Sequence, residues 1–256
     1  MIQNPDFETL MILPRRAGAL AASLALSGML LSACMPAKPD KDFGEKVRAY
    51  LLEHPEVLLE VSAKLEQKQA AKTAEAGRKA LSQYRQALER DPRDFVANPN
   101  GSITVTEFFD YKCGYCRVAA PEVVKLIAEN PDVRFVFKEF VIFGNDSEAA
   151  ARLMIGAKDQ GKTLQLHQAL MAEKSLDEAS ALRIARSLGL DVAKARAVGA
   201  SAATTQHLAD IRGLAQSLAI EGTPAFIVGD TIIPGADMQA LKLAIANTKA
   251  AALKKS

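Results

Sequence analysis

Cys113-Gly114-Tyr115-Cys116 places two thiols three residues apart. The motif stands between an apolar, β-prone run, Ile103-Thr104-Val105-Thr106-Glu107-Phe108-Phe109, and a helical pattern from Arg117 to Asn130. The first sulfur then sits at a helix N-terminus, where unpaired N–H groups and the helix dipole favour negative charge. A thiolate is the nucleophile that attacks disulfides. The second thiol lies one turn on, near enough to close a ring, so the pair can cycle between dithiol and disulfide. Two plainer readings of the motif compete with this one. Zinc needs four ligands, usually a second CxxC or an HxxxH. The chain has one other cysteine, Cys34, and its three histidines, His54, His167 and His207, are scattered singly. A structural disulfide across a two-residue loop gains little from the cross-link. Redox chemistry is the reading that remains, and no metal site or cofactor is expected.

The elements around the motif follow from local pattern. Asn98-Pro99-Asn100-Gly101 is a turn signal and marks an expected domain boundary. After it come a strand over 103–109, the cysteine pair, a helix over 117–130 with Pro121 as a kink site, and a second strand, Val133 to Phe137. Residues 147–219 read as several helices. Two short apolar runs, 225–229 and 231–233, are split by Asp230 at hairpin-like spacing, and Asp237 caps a last helix to about Leu253. On the alternating first strand, Val105 and Glu107 share a face. Burial there would raise the proton affinity of Glu107; exposure at a strand edge is the plainer alternative. Lys138 is a candidate partner for it, though a solvated lysine is the simpler expectation. The three histidines are expected on the surface or in helix packing.

Upstream of residue 98 the pattern changes. Phe43, Val47, Tyr50 and Leu51 recur at helical spacing, His54-Pro55 interrupts, and Val57, Leu58, Val61 and Leu65 continue. Residues 66–79 are almost free of large apolar side chains, and Leu81, Tyr84 and Leu88 resume the stripe before Asp91-Pro92 ends it. A helix of this kind buries too little to stand alone. It must pack on copies of itself or on the main domain, and self-association is the expectation here.

Before this segment, Arg15-Arg16 precedes an uncharged apolar stretch from Ala17 to Ala33, the layout of a secretory signal. Leu31-Ser32-Ala33-Cys34 resembles the lipobox of bacterial lipoproteins. That resemblance implies cleavage before Cys34 and a diacylglycerol on its sulfur. An ordinary signal peptide and an uncleaved anchor helix are the alternatives, and the stretch is short for a membrane span. Met35, where an inner-membrane retention signal would place Asp, points by the same resemblance to the outer membrane. Asp6 and Glu8 are unusual in an n-region, which makes Met11 a second candidate start. The expected organisation is a signal over 1–33, a helical segment over 34–97 and a catalytic domain over 98–256. Lipidation of Cys34 would leave the exported domain only the two thiols of the motif, in a compartment that tolerates disulfides. The formal net charge is +2 over 256 residues. No basic block interleaves with aromatics, so nucleic acid is not an expected partner.

The order βαβ, helices, ββα, with CxxC at the first βα junction, resembles an α/β thioredoxin fold with an inserted helical subdomain. The family it is similar to is the DsbA-like thiol-disulfide oxidoreductases, on Glu107-Phe108-Phe109-Asp110-Tyr111-Lys112-Cys113-Gly114-Tyr115-Cys116 and Gly222-Thr223-Pro224-Ala225-Phe226. The segment Val47-Arg48-Ala49-Tyr50-Leu51-Leu52-Glu53-His54-Pro55-Glu56-Val57 resembles the ScsC-like branch, linked to suppression of copper sensitivity, whose members can be oligomeric. The resemblance implies that Cys113 attacks and Cys116 resolves, that Gly114 and Tyr115 tune the first thiol, and that Glu107 accepts the proton of Cys116. It also implies a cis peptide before Pro224, leaving the Thr223 backbone to pair with substrate; a trans proline in a loop is the alternative. Gly-Tyr is seen in family isomerases, whereas oxidases more often carry Pro-His. The expected function is disulfide isomerisation or oxidoreduction on unfolded or misoxidised exported proteins. It would take place in the periplasm, with a membrane redox partner, a lipid anchor and a homo-oligomer. A DsbA-type oxidase and a Cu(I)-binding copper-tolerance protein are the alternatives. Two thiolates suit Cu(I), but no Met or His cluster adjoins the motif.

Overall fold

The computed structural model describes residues 41–254, so the signal region and Cys34 lie outside the described residues. The chain divides into two compact units, residues 1–64 and 65–256. In the first, α1 (Lys41–Glu53) and the start of α2 (Glu56–Gln83) are separated at His54-Pro55. Proline has no N–H to continue a helix and disfavours helical backbone in the residue before it. Phe43, Tyr50, Leu58 and Val61 are all more than half exposed.

The second unit takes the end of α2, then α3 (Arg85–Glu89), β1 (Phe95–Ala97), β2 (Ile103–Phe109), α4 (Gly114–Glu129) and β3 (Val133–Glu139). The helices α5 (Asn145–Ala157), α6 (Thr163–Ala172), α7 (Glu178–Ser187), α8 (Val192–Gly199) and α9 (Ala202–Ser217) follow, with a 3-10 turn over 158–160. The hairpin β4 (Ala225–Val228) and β5 (Thr231–Pro234) precedes α10 (Met238–Leu253). The five strands form one sheet of order β1-β3-β2-β4-β5, parallel only between β2 and β3. This is the thioredoxin fold with an inserted helical subdomain.

Alternation along β2 divides the core. Val105 and Phe109 join the cluster formed with α4, the inserted helices α5 to α8 and α10. Phe108 points the other way, into a cluster with Ile211 and Leu214 of α9 and with Leu81 and Leu88. Leu81 and Leu88 are each 1% exposed. The second half of the upstream stripe therefore packs on the sheet, where self-association was expected. Ile211, Leu214, Phe140 and Phe108 supply the apolar surface it lacks within its own helix.

Two further expectations change. The turn over 98–101 lies inside the second unit and joins β1 to β2, so the expected boundary at 98 is displaced upstream. A three-residue strand shows no readable alternation, and β1 pairs with β3 from Phe95↔Phe137 to Ala97↔Phe135. A Cβ on Gly101 would meet the Arg134 amide nitrogen at 2.4 Å, so the turn is pressed against the sheet. Lys138 is not solvated: it is 1% exposed and paired with the equally buried Asp94. Burial removes hydration from both charges, and their mutual attraction replaces it. Helix α4 contains Pro121, as expected, and the residue stands exposed.

Candidate functional site

The turn after β2 is held by one carboxylate. Asp110 accepts hydrogen bonds from the Lys112 amide at 2.7 Å, the Ile142 amide at 2.8 Å, the Phe143 amide at 3.1 Å and the Ser147 hydroxyl at 2.6 Å. It closes the turn onto the cysteines and ties it to the loop entering α5. Cys113 is the N-cap of α4, and its Sγ accepts from the Cys116 amide at 3.3 Å. A sulfur thus takes the place of the usual capping oxygen and faces the positive end of the helix. The Thr223–Pro224 peptide is cis, and the Cys113 thiol donates to the Thr223 carbonyl at 3.1 Å. The two motifs, 110 residues apart in sequence, meet at that hydrogen bond. Both thiols are free.

The two sulfurs differ in environment. Cys116 is 0% exposed, and burial pushes its thiol well above the ordinary range. The neighbouring Cys113 reinforces that push, while the Asp110 main chain and the Thr223 side chain oppose it. Tyr115 and Val118 on the first turns of α4 are 73% and 75% exposed, and Phe143 is half-exposed. The attacking face is thus rimmed by apolar side chains, with the second thiol beneath. Arg117 donates to the Met171 carbonyl at 3.0 Å and to the Glu173 carbonyl, fastening α4 to the end of α6.

Glu107 is 3% exposed, directly opposite Phe137 on β3 and Phe226 on β4. Its Oε2 has no hydrogen-bond partner, and burial raises its pKa from 4.5 to about 8. It lies on the strand face that also carries Val105 and Phe109, which share a cluster with Cys116. Lys138 points to the opposite face and does not meet it. The cavity of about 340 Å³ between α5, α7 and α8 holds none of these residues. Its charges are paired, Arg152 with Glu148 and Arg196 with Glu178. Among the described residues no group of three or more His, Cys, Asp or Glu side chains is placed to hold a metal ion.

Sequence reasoning missed Asp110 and the buried polar residues behind Glu107. An aspartate just after a strand is a turn signal that would have found the first. The second required knowing that His167 packs against Phe109, Tyr111 and Phe137.

The model of the DSBA-like thioredoxin domain matches residues 104–246. This chain belongs to that family. The model of the copper resistance protein ScsC N-terminal domain matches residues 41–72. Among solved structures, a thioredoxin-like oxidoreductase from Silicibacter pomeroyi is 40% identical, with TM-score 0.61, covering 64% of this chain and 97% of that one. A Proteus mirabilis ScsC variant is 28% identical, with TM-score 0.66, covering 86% and 99%. The thiol-disulfide exchange protein alpha-DsbA2 of Wolbachia pipientis is 26% identical, with TM-score 0.63, covering 68% and 97%. The curated relatives it matches are longer: a Salinispora tropica Na(+)/H(+) antiporter NhaA 3 is 33% identical over 152 residues, 54% of this chain and 22% of that protein. The DsbA-like family is one of thiol-disulfide oxidoreductases, and the dithiol at the head of α4 is the feature such an enzyme needs.

Proposed function

We propose that this protein exchanges thiols and disulfides on exported proteins, with isomerisation of wrong disulfides as its main activity. The observation that carries the reading is the Cys113 sulfur at the N-cap of α4, against the Thr223 carbonyl and over the buried Cys116. In the reduced enzyme the Cys113 thiolate attacks one sulfur of a substrate disulfide. A Cys113–substrate bond forms, the substrate bond breaks, and its electron pair leaves on the second substrate sulfur. A different substrate thiolate then displaces Cys113, which completes a rearrangement without net electron transfer. Where none arrives, Cys116 passes its proton to Glu107, attacks Cys113 and releases a reduced substrate. A membrane reductase restores the dithiol. Tyr115, Val118 and Phe143 offer apolar contact to unfolded chains, and the Thr223 backbone offers strand-like pairing.

Gly114-Tyr115 favours isomerisation over oxidation. The exposed apolar side chains of α1 and early α2, within the stretch similar to the ScsC N-terminal domain, support a homo-oligomer that presents several dithiols to one substrate. We place the enzyme in the periplasm, exported by residues 1–33 and anchored by a lipid on Cys34. Described residues contain no helix long and apolar enough to cross a membrane. The test is reactivation of scrambled ribonuclease by a soluble form beginning at Pro36. Recovery in mildly reducing buffer is expected. Fast oxidation of reduced ribonuclease without recovery of the scrambled form would establish a DsbA-type oxidase instead. The similarity to a copper-resistance N-terminal domain favours one further reading, Cu(I) held by the two thiolates, which titration of the reduced protein against turnover separates from catalysis.

A further inference from the structure

Glu107 is not the only carboxyl buried on its strand face. In the parallel register of β2 and β3, Glu107 lies opposite Phe137 and Phe109 opposite Glu139. Side chains two residues apart on a strand share a face. Glu107 and Glu139 are therefore diagonal neighbours on adjacent strands, facing the same core. Glu139 is 5% exposed. The Tyr111 hydroxyl donates to its Oε1 at 3.4 Å and lies 3.3 Å from His167 Nδ1. Tyr111 is itself buried, two residues before Cys113, and packs edge-on against Phe109. The hydroxyl has one proton for two acceptors. It either donates to an ionised Glu139, or donates to His167 and receives a proton from a neutral Glu139. Glu107 takes the Cys116 proton in thiol–disulfide exchange, whereas Glu139, Tyr111 and His167 have no role in it so far.

We propose that Glu107 and Glu139 form one coupled acid pair holding at most a single negative charge, and that Glu139, through Tyr111, sets when Glu107 can take the Cys116 proton. Glu139 is a positioning residue on this reading, which rests on thiol–disulfide exchange at Cys113. Two carboxylates this close in a low-dielectric core cannot both ionise cheaply, so the ionisation of one holds the proton on the other. Burial raises both acids, and nearby negative charge pushes Glu139 further. Glu139 feels Glu107 on β2 and Asp110 on the turn, and Tyr111 opposes by hydrogen bonding. Asp94, Arg93, Lys158 of the 3-10 turn and His207 of α9 line a cavity of about 10 Å³ together with Glu139. His167 is held neutral by burial, at about 3, and serves as an acceptor.

During resolution the Cys116 thiol proton moves to the Glu107 carboxylate. The Cys116 sulfur bonds Cys113 as the Cys113–substrate bond breaks, and the substrate leaves as thiolate. An ionised Glu139 keeps the shared proton on Glu107 and blocks acceptance, whereas a neutral Glu139 leaves Glu107 as the ionised acceptor. The experiment measures single-turnover release of a dithiol peptide from its mixed disulfide on the full-length protein, across pH 5 to 9.5. Glu139→Gln removes the second charge while keeping an acceptor for Tyr111. It is expected to lower the pH inflection of release by about one unit. Tyr111→Phe withdraws the donor that stabilises the Glu139 anion, so its inflection should also fall. The double variant should fall no further than Glu139→Gln alone. Side-chain carboxyl NMR of Glu107 reads the same shift at equilibrium, independently of turnover. An inflection and a Glu107 titration unchanged in both single variants would overturn the proposal. Wild-type protein that forms no mixed disulfide at Cys113 would instead overturn the exchange reading beneath it.

Discussion

At the scale of the residue, this site separates two chemically identical thiols by burial and hydrogen bonding. Cys113 caps a helix, while Cys116 lies under it with its thiol form strongly favoured. Cys113→Ala should reduce exchange to background, since no other described sulfur can attack. Cys116→Ala should leave attack intact and trap mixed disulfides, visible as adducts in non-reducing gels. Glu107 makes a prediction about stability. Its folded pKa of about 8 lies above the ordinary 4.5, so the folded state binds more protons between those values. The stability it contributes is present below pH 4.5 and lost as pH rises through about 8. Glu107→Gln should then gain stability over wild type progressively across that window, by at most roughly 4–5 kcal/mol. His167, lowered to about 3, acts in the opposite sense, losing stability as pH falls from 6.5. The comparison is therefore of the two proteins' difference in denaturant midpoint at each pH. A difference that stayed flat from pH 5 to 8.5 would show that Glu107 does not titrate in this range.

At the scale of the element, the inserted helices depend on close backbone approach. A Cβ on Gly156 of α5 would stand 1.9 Å from the Ala195 carbonyl oxygen, and one on Gly199 would stand 2.5 Å from that of Arg152. The two glycines let α5 and α8 cross nearly in contact. Gly156→Ala forces backbone to move and should cost about 1–3 kcal/mol. Gly213 on α9 has nothing within 4 Å of the same added atom. Gly213→Ala should instead hold or raise the thermal midpoint, because alanine is the better helix former. The same scale explains α2. Leu81 and Leu88 are sealed against Phe108 and α9, so either truncated to alanine should destabilise the catalytic unit by about 2–5 kcal/mol. Cysteine reactivity at 25 °C and the melting midpoint together distinguish this loss from a loss of self-association.

At the scale of the whole molecule, the two buried apolar clusters both lie in the second unit, and the described part of the first has large apolar side chains exposed. Among the described residues, Phe43, Tyr50, Leu58 and Val61 are each more than half exposed, which is the expected condition of a surface shared between copies. A chain beginning at Leu65 retains both buried clusters and the complete dithiol site. It should sediment as a monomer, keep its oxidation of simple dithiol peptides and lose most reactivation of scrambled ribonuclease. Retention of full isomerase activity by that monomer would remove the need for several dithiols in one assembly.

The place of the two cysteines at the start of a helix was legible in the chain because it depends on local order. Cys113 and Cys116 stand three apart at a strand-to-helix junction, so helix geometry alone brings the second amide to the first sulfur. The inserted helices were legible for the same reason, their 3.6-residue pattern being a local property. Glu107 was assignable to a face by alternation, but only the sheet decided that both sides of that face are covered. The three-residue β1, the seat of Leu81 and Leu88, the Asp94–Lys138 pair and the Tyr111–Glu139–His167 array all join residues from separate elements. A burial pattern states that a side chain needs cover. Which distant surface provides that cover is settled when the sheet order and the helix crossings bring the partners together.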